Sequence, residues 1–391
     1  MYSFLMALGY LLFFLLLLPA SSPAVPHPPA TSFETIAKQA DTARDSNHVA
    51  EAINLYSQGV RLRPQWSEGW WSLGSLLYDQ DRFAEAEVAL KHFAAQTAKP
   101  GVAHAFLGLC EYETKEYDHA LAHFRAWARA GWPGTPQLID VSVLHFALLL
   151  TRDGEFVQAL YLLASEAAKA GDNPALSEAM GLASLRVRNL PEDYPPERRE
   201  MVWLAGEAAV YAAQSGHDFA RADEFATRLE SRYSQQPEVH YFRGTLFTFE
   251  ARAADAEREY REELSISPLH VPAMLALVDI DLDKNELAEA GVFASKAVAL
   301  EPKNPEAHHV SGRVLMASGQ LEVSAKELEA AKQLAPDSPL VRSHLAMVYS
   351  RLGRAQQAKA EASAFLALKS KQGVLAPPEE KVKSGIKERV R

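Results

Sequence analysis

The sequence predicts an all-α protein, a right-handed superhelical solenoid of antiparallel helix pairs repeating every 34 residues, with an irregular joint in the middle. Three observations carry that expectation. Apolar residues recur at three- and four-residue spacing through the body of the chain, as they do in helices with one buried stripe. Pro268, Pro302 and Pro336 stand 34 residues apart, each closing a helical stretch that ends in ELSIS, AVALE or AKQLA. Small residues return at two fixed places of the resulting unit. Length alone, 391 residues, would suggest two or three domains, but self-similarity overrides that prior.

Residues 1–24 form the first element, a signal peptide or N-terminal anchor. No charged residue occurs from Met1 to Phe33, and Tyr10 to Leu18 reads YLLFFLLLL before Pro19, an apolar run of secretory length. Ser22-Pro23-Ala24 supplies small residues for a cut before Val25. Retained, the same segment would tether the chain to a membrane, although Phe4 to Leu18 falls short of the roughly 20 residues that span one. Either way the rest of the chain is expected outside the cytoplasm, periplasmic or secreted. Residues 25–32 are a Pro-rich linker.

The N-terminal array is expected over 33–170. Units begin at Phe33, Ser67 and Gly101, and a further unit is recognisable from Asp140 if about five residues are inserted around GWPGTPQ. The joint, 171–236, holds a helix from Ala175 to Val187 whose partner is replaced by RNLPEDYPPERRE, because adjacent prolines cannot sit inside a helix. Helices near Glu197–Ala213 and Phe219–Arg232 then resume the array, with extra residues in the turn QSGHD. This insertion is either a contact peculiar to the protein or an inert spacer. The C-terminal array, 237–370, has units at Pro237, Val271, Pro305 and Pro339, and 371–391 is a polar, modestly basic tail expected to be disordered.

Within a unit, Gly74, Gly108, Gly244 and Gly312 hold the eighth place, and Ala52, Ala86, Ala120, Ala256, Ala290 and Ala358 the twentieth. Two antiparallel helices approach closely only where one side chain is little more than a hydrogen or a methyl. Each unit is therefore a helical hairpin. Trp70, Leu73, Gly74 and Leu77, followed by Ala86 and Leu90, make the sequence similar to the tetratricopeptide repeat family, in its exported bacterial form. Val278 and Ala346 in place of glycine, and Ser324 in place of alanine, depart from its pattern.

The resemblance implies a non-catalytic scaffold that binds a protein or peptide segment in a groove lined by the first helix of each pair. Groove contacts in the family come from places five, nine, twelve and thirteen. Here those places include Trp71, Tyr78, Leu109, Tyr112, Tyr241, His309, Arg313 and Arg351. Trp71, Tyr78, Leu109 and Tyr112 would form an apolar platform, or else pack against neighbouring helices. The carboxylate clamp of the chaperone-tail type, Lys at place five and Asn at place nine, is missing, since Trp71 and Ser75 or His309 and Arg313 stand there.

Charge and chemistry narrow the function further. Forty basic against fifty acidic residues give a net charge of −10, so phosphate backbones find no general electrostatic attraction and nucleic acid is not an expected partner. Cys110 is the only cysteine, which excludes an intrachain disulfide and a zinc-type cysteine pair. No Gly-rich phosphate loop or nucleophile elbow is present, and His119 and His123 share a helical face without a third ligand. No cofactor or metal is expected. Membrane contact is expected only if residues 1–24 are uncleaved. The alternatives are a membrane-anchored envelope assembly factor and, from another class, a carbohydrate-handling enzyme with Glu192 and Asp193 as its acidic pair.

Overall fold

A computed structural model describes residues 32–169 and 173–375. The expected signal segment, linker and most of the tail lie outside those residues. The chain divides into two units, 1–64 and 65–391. In the first, α1 (Phe33–Asp45) and α2 (Val49–Leu62) form one hairpin closed by buried Ile36, Ala40, Ala52, Ile53 and Tyr56. Ser32 caps α1 by accepting the Thr35 N–H, and Arg63 reaches back to Glu34 at 2.9 Å.

The second unit stacks hairpins in series. α3 (Ser67–Tyr78) pairs with α4 (Phe83–Gln96), α5 (Gly101–Glu113) with α6 (Tyr117–Arg129), and α7 (Pro136–Asp153) with α8 (Phe156–Ala167). A single helix α9 (Pro174–Ser184) follows. The series then continues with α10 (Arg199–Ala213) and α11 (Phe219–Tyr233), α12 (Val239–Phe249) and α13 (Ala253–Ile266), and α14 (Val271–Asp283) and α15 (Leu287–Leu300). It ends with α16 (Pro305–Ala317) and α17 (Leu321–Leu334), then α18 (Pro339–Arg351) and α19 (Ala355–Leu375). No strand occurs among the described residues.

The small residues sit where the spacing placed them. A methyl at Gly74 would meet Leu90 Cγ at 2.7 Å, one at Gly108 the Phe124 ring at 2.8 Å, one at Gly244 the Tyr260 ring at 2.6 Å and one at Gly312 Leu328 Cγ at 2.6 Å. In each case place eight of the first helix faces place twenty-four of the second. Ser324, the exception at place twenty, is buried and donates to the Gly312 carbonyl at 2.7 Å, so its hydroxyl is satisfied by the backbone it packs against. Closing every hairpin takes a left-handed residue at place fifteen: Asn47, Asp81, Lys115, Ala251, Asn285, Gly319 and Gly353 all have φ between 56° and 78°.

Around the middle the structure refines the expected boundaries. Inserted residues before α7 are packed: Trp132 is buried against Trp127, whose indole N–H donates to the Pro133 carbonyl at 2.9 Å. Gly154 takes the place-fifteen turn of the unit at Asp140. The hairpin α10–α11 has left-handed His217 and buried Ala222 at places fifteen and twenty of a unit beginning at Trp203, one step of 34 before Pro237. The C-terminal series therefore reaches back further than 237. The QSGHD turn is long because α10 stops early, while α11 keeps its register.

The irregular part is α9 and the loop 185–198. Leu185, Leu190 and Tyr194 of this loop are buried, and the Tyr194 hydroxyl donates to Glu178 at 2.6 Å, so the loop is packed structure. With no second helix to separate them, α9 and α10 cross backbone to backbone at Gly181 and Gly206.

Candidate functional site

The first helices of successive pairs touch one another, α3 with α5, α5 with α7, α14 with α16 and α16 with α18. A side chain on their shared side is therefore free only if the next first helix leaves it so. That rule sorts the expected groove residues.

Trp71 and Tyr78, a turn or two apart on α3, remain half-exposed. Both lean on Phe106 of α5, Trp71 at a ring-centroid distance of 5.5 Å and Tyr78 at 5.1 Å, each edge-on. Phe93 extends the cluster beyond Trp71 at 5.1 Å, and Phe83 extends it beyond Tyr78 at 5.6 Å. All five rings are half-buried, so one continuous aromatic face links α3, α4 and α5. Burial pushes the Tyr78 hydroxyl up to about 12, which keeps it a neutral donor at any physiological pH.

Leu109 and Tyr112 do not belong to this face. Leu109 is 2% exposed and Tyr112 9% exposed. Tyr112 is packed between Tyr117 at 5.6 Å and His145 of α7 at 4.5 Å. The four-residue platform expected from the resemblance is corrected accordingly: Trp71 and Tyr78 present rings, while Leu109 and Tyr112 are core. Phe106, at place six, was not among the expected contacts. Its signal in the sequence is only the aromatic company of Phe83 and Phe93.

The C-terminal candidates are also engaged within the fold. His309 is 3% exposed and its Nε2 lies 3.0 Å from His344 Nδ1, so it is an inter-repeat contact and not a free groove residue. Tyr241 is half-buried between Tyr260 and His270, Arg313 is paired with Asp279, and exposed Arg351 donates to the Met316 carbonyl at 2.9 Å. Phe249, at place thirteen of its unit, is 74% exposed. His119 and His123 diverge to Glu116 and Glu111, at 3.0 and 2.6 Å. Glu192 accepts from the Tyr117 hydroxyl at 3.2 Å. Burial pushes the Cys110 thiol up to about 12, leaving it unreactive. No helix among the described residues is long and apolar enough to cross a membrane.

Comparison with known proteins agrees with the repeat. Residues 37–100 match the tetratricopeptide repeat family model. Among solved structures, MamA 41–end from Desulfovibrio magneticus RS-1 aligns at 19% identity over 39% of this chain and 86% of its own, with a TM-score of 0.36. The Cut9–Hcn1 heterotetramer of APC/C aligns at 12% identity over 87% and 79%, with a TM-score of 0.36. Yeast Tom70 aligns at 10% identity over 89% and 93%, with a TM-score of 0.35. No curated protein matches the chain. The family match identifies residues 37–100 as tetratricopeptide repeat sequence, and the hairpins repeat its 34-residue spacing as far as α19.

Proposed function

We propose that the protein is an exported interaction scaffold that takes an apolar segment of a partner protein against the aromatic face of α3, α4 and α5. Tetratricopeptide repeats are a scaffold for protein–protein interaction, and the observation that carries the site is the row of half-exposed rings centred on Phe106. Rigid aromatic side chains offer large contact area at small entropic cost. Export rests on the uncharged, apolar sequence before Pro19 and the small residues up to Ala24.

A photo-crosslinker at Tyr78, with Arg82 in the adjoining turn as control, tests the face in the native envelope fraction. One protein captured at Tyr78 alone, and lost in the Trp71→Ala, Phe106→Ala double variant with helicity retained, is the expected result. Equal capture at both positions, or capture unchanged by the double variant, would refute it. N-terminal sequencing of the exported chain distinguishes a start at Val25 from a retained Met1, that is, a soluble scaffold from an anchored assembly factor.

A further inference from the structure

Place eleven of the unit points into the hairpin. Ala43, Leu77, Phe247 and Tyr349 occupy it as buried hydrophobic residues, and Leu315 as a half-buried one. Two units put a carboxylate there instead. Glu111 is fully buried but answered, by His123 Nδ1 at 2.6 Å and by Lys91 Nζ at 3.5 Å. Asp281, on α14, is equally buried, and neither of its carboxylate oxygens has a hydrogen-bond partner. A buried carboxylate left this way is strongly unfavourable as an anion unless it takes up a proton or something outside the polypeptide completes it.

Its neighbours are more carboxylates. One oxygen each of Asp281, Glu286 and Glu289 lies within 4.8 Å of the others. Glu286 is the N-cap residue of α15, yet its side chain makes no capping bond, and Glu289 sits in the first turn of that helix. The nearest cations are already committed: Arg261 donates to Glu289 Oε1 at 2.8 Å and to Glu257 Oε1 at 3.0 Å, and Lys284 pairs with Glu257. Neither reaches Asp281.

We propose that Asp281, Glu286 and Glu289 bind a calcium ion that clamps the turn between α14 and α15. An all-carboxylate donor set selects a hard cation. Ca–O bonds of about 2.3–2.6 Å bridge oxygens up to roughly 5 Å apart, whereas Mg–O bonds of about 2.1 Å bridge only about 4.2 Å and demand stricter geometry. The tolerance of calcium for irregular oxygen geometry favours it here, with water filling the outer positions. The inference is independent of the aromatic face.

The test is calorimetric and thermal titration of the full chain with CaCl2 after chelation, with MgCl2 in parallel. The expected result is one equivalent of Ca2+ bound, a midpoint of unfolding that climbs with Ca2+ concentration, and a smaller shift with Mg2+. Asp281→Asn should abolish binding while remaining at least as stable as the unmodified chain in chelator, because it removes the unanswered buried charge. Glu286→Gln, at an exposed position that cannot unfold the hairpin, should weaken binding at least tenfold. Absence of Ca2+ binding through millimolar concentrations, or binding unchanged in both variants, would overturn the proposal. A Mg2+ response equal to that of Ca2+ would overturn the choice of ion.

Discussion

Replacing Gly206 with alanine tests the most demanding contact in the fold. The added methyl would lie 1.8 Å from the Ser177 carbonyl oxygen and 2.6 Å from its carbon. A carbon and a carbonyl oxygen rest at about 3.3 Å or more, so α9 and α10 would have to separate by roughly 1.5 Å. Both partners are helical backbone, and no rotamer change relieves the clash. Overpacking costs about 1–3 kcal/mol in ordinary cores, and this contact belongs at or beyond the top of that range. Alanine returns about 1 kcal/mol of helix propensity, which leaves a net loss of about 2–3 kcal/mol. Gly312→Ala meets Leu328 Cγ at 2.6 Å, a side chain that can move, and should cost less. Gly291→Ala in α15 meets nothing within 4 Å and should stabilise by about 1 kcal/mol. Urea unfolding followed by far-UV circular dichroism ranks the three. Gly206→Ala as stable as Gly291→Ala would refute the backbone-to-backbone crossing.

Three further perturbations follow from single contacts. Buried Glu263 accepts the backbone N–H groups of Glu238 at 3.0 Å and Tyr241 at 3.2 Å, tying α13 to the start of α12; Glu263→Gln turns one acceptor into a donor and should cost about 2 kcal/mol in chemical denaturation. Ala251 is left-handed at φ 58°, a conformation costing an L-residue about 1–2 kcal/mol, so Ala251→Gly should raise stability by up to about 1 kcal/mol despite glycine's extra chain entropy. The hydrogen bond with Glu259 at 2.7 Å raises the His240 imidazole, while burial of Glu259 is outweighed by hydrogen bonds from His240 and Arg258 that hold it low. The histidine term is complete below about pH 6.5 and fades as pH rises through its raised pKa; the glutamate term is complete above about pH 4.5 and fades as pH falls. A His240→Gln, Glu259→Gln double-mutant cycle should therefore give its largest coupling between about pH 4.5 and 6.5, and a coupling flat to pH 9 would contradict the pair.

The hairpins were legible because their determinants are local and repeated. Gly74 opposite Leu90, or Gly312 opposite Leu328, is a steric requirement that recurs every 34 residues, so a single sequence displays it several times. Place fifteen was not legible: Lys115 and Ala251 adopt the left-handed conformation because the hairpin must close there, and neither residue type announces it. The unit at Trp203 was hidden because Val210 stands at its eighth place and the glycine lies four residues earlier, facing α9 instead of its own partner helix. Binding positions were legible only as places on a helix. Whether Tyr112 or His309 is exposed depends on His145 and His344 in the following first helix, a contact that no residue's own unit contains.

The loop 185–198 shows how the stack survives a missing helix. A first helix ordinarily buries its apolar stripe against its own second helix and then against the next pair. In α9 the first of these is absent, and Leu185, Leu190 and Tyr194 supply buried surface in its place. That alone would leave α9 and α10 a helix diameter apart. Gly181 and Gly206 remove the remaining side-chain bulk, so α10 closes directly onto α9 and one apolar core runs from Ala105 in α5 to Leu246 in α12. The C-terminal hairpins instead hold separate clusters, such as Val278 with Val310 and Leu328 with Leu345. Losing a second helix has thus been compensated by closer approach, and the residues that permit it, two glycines, are the ones whose side chains contribute no contact of their own.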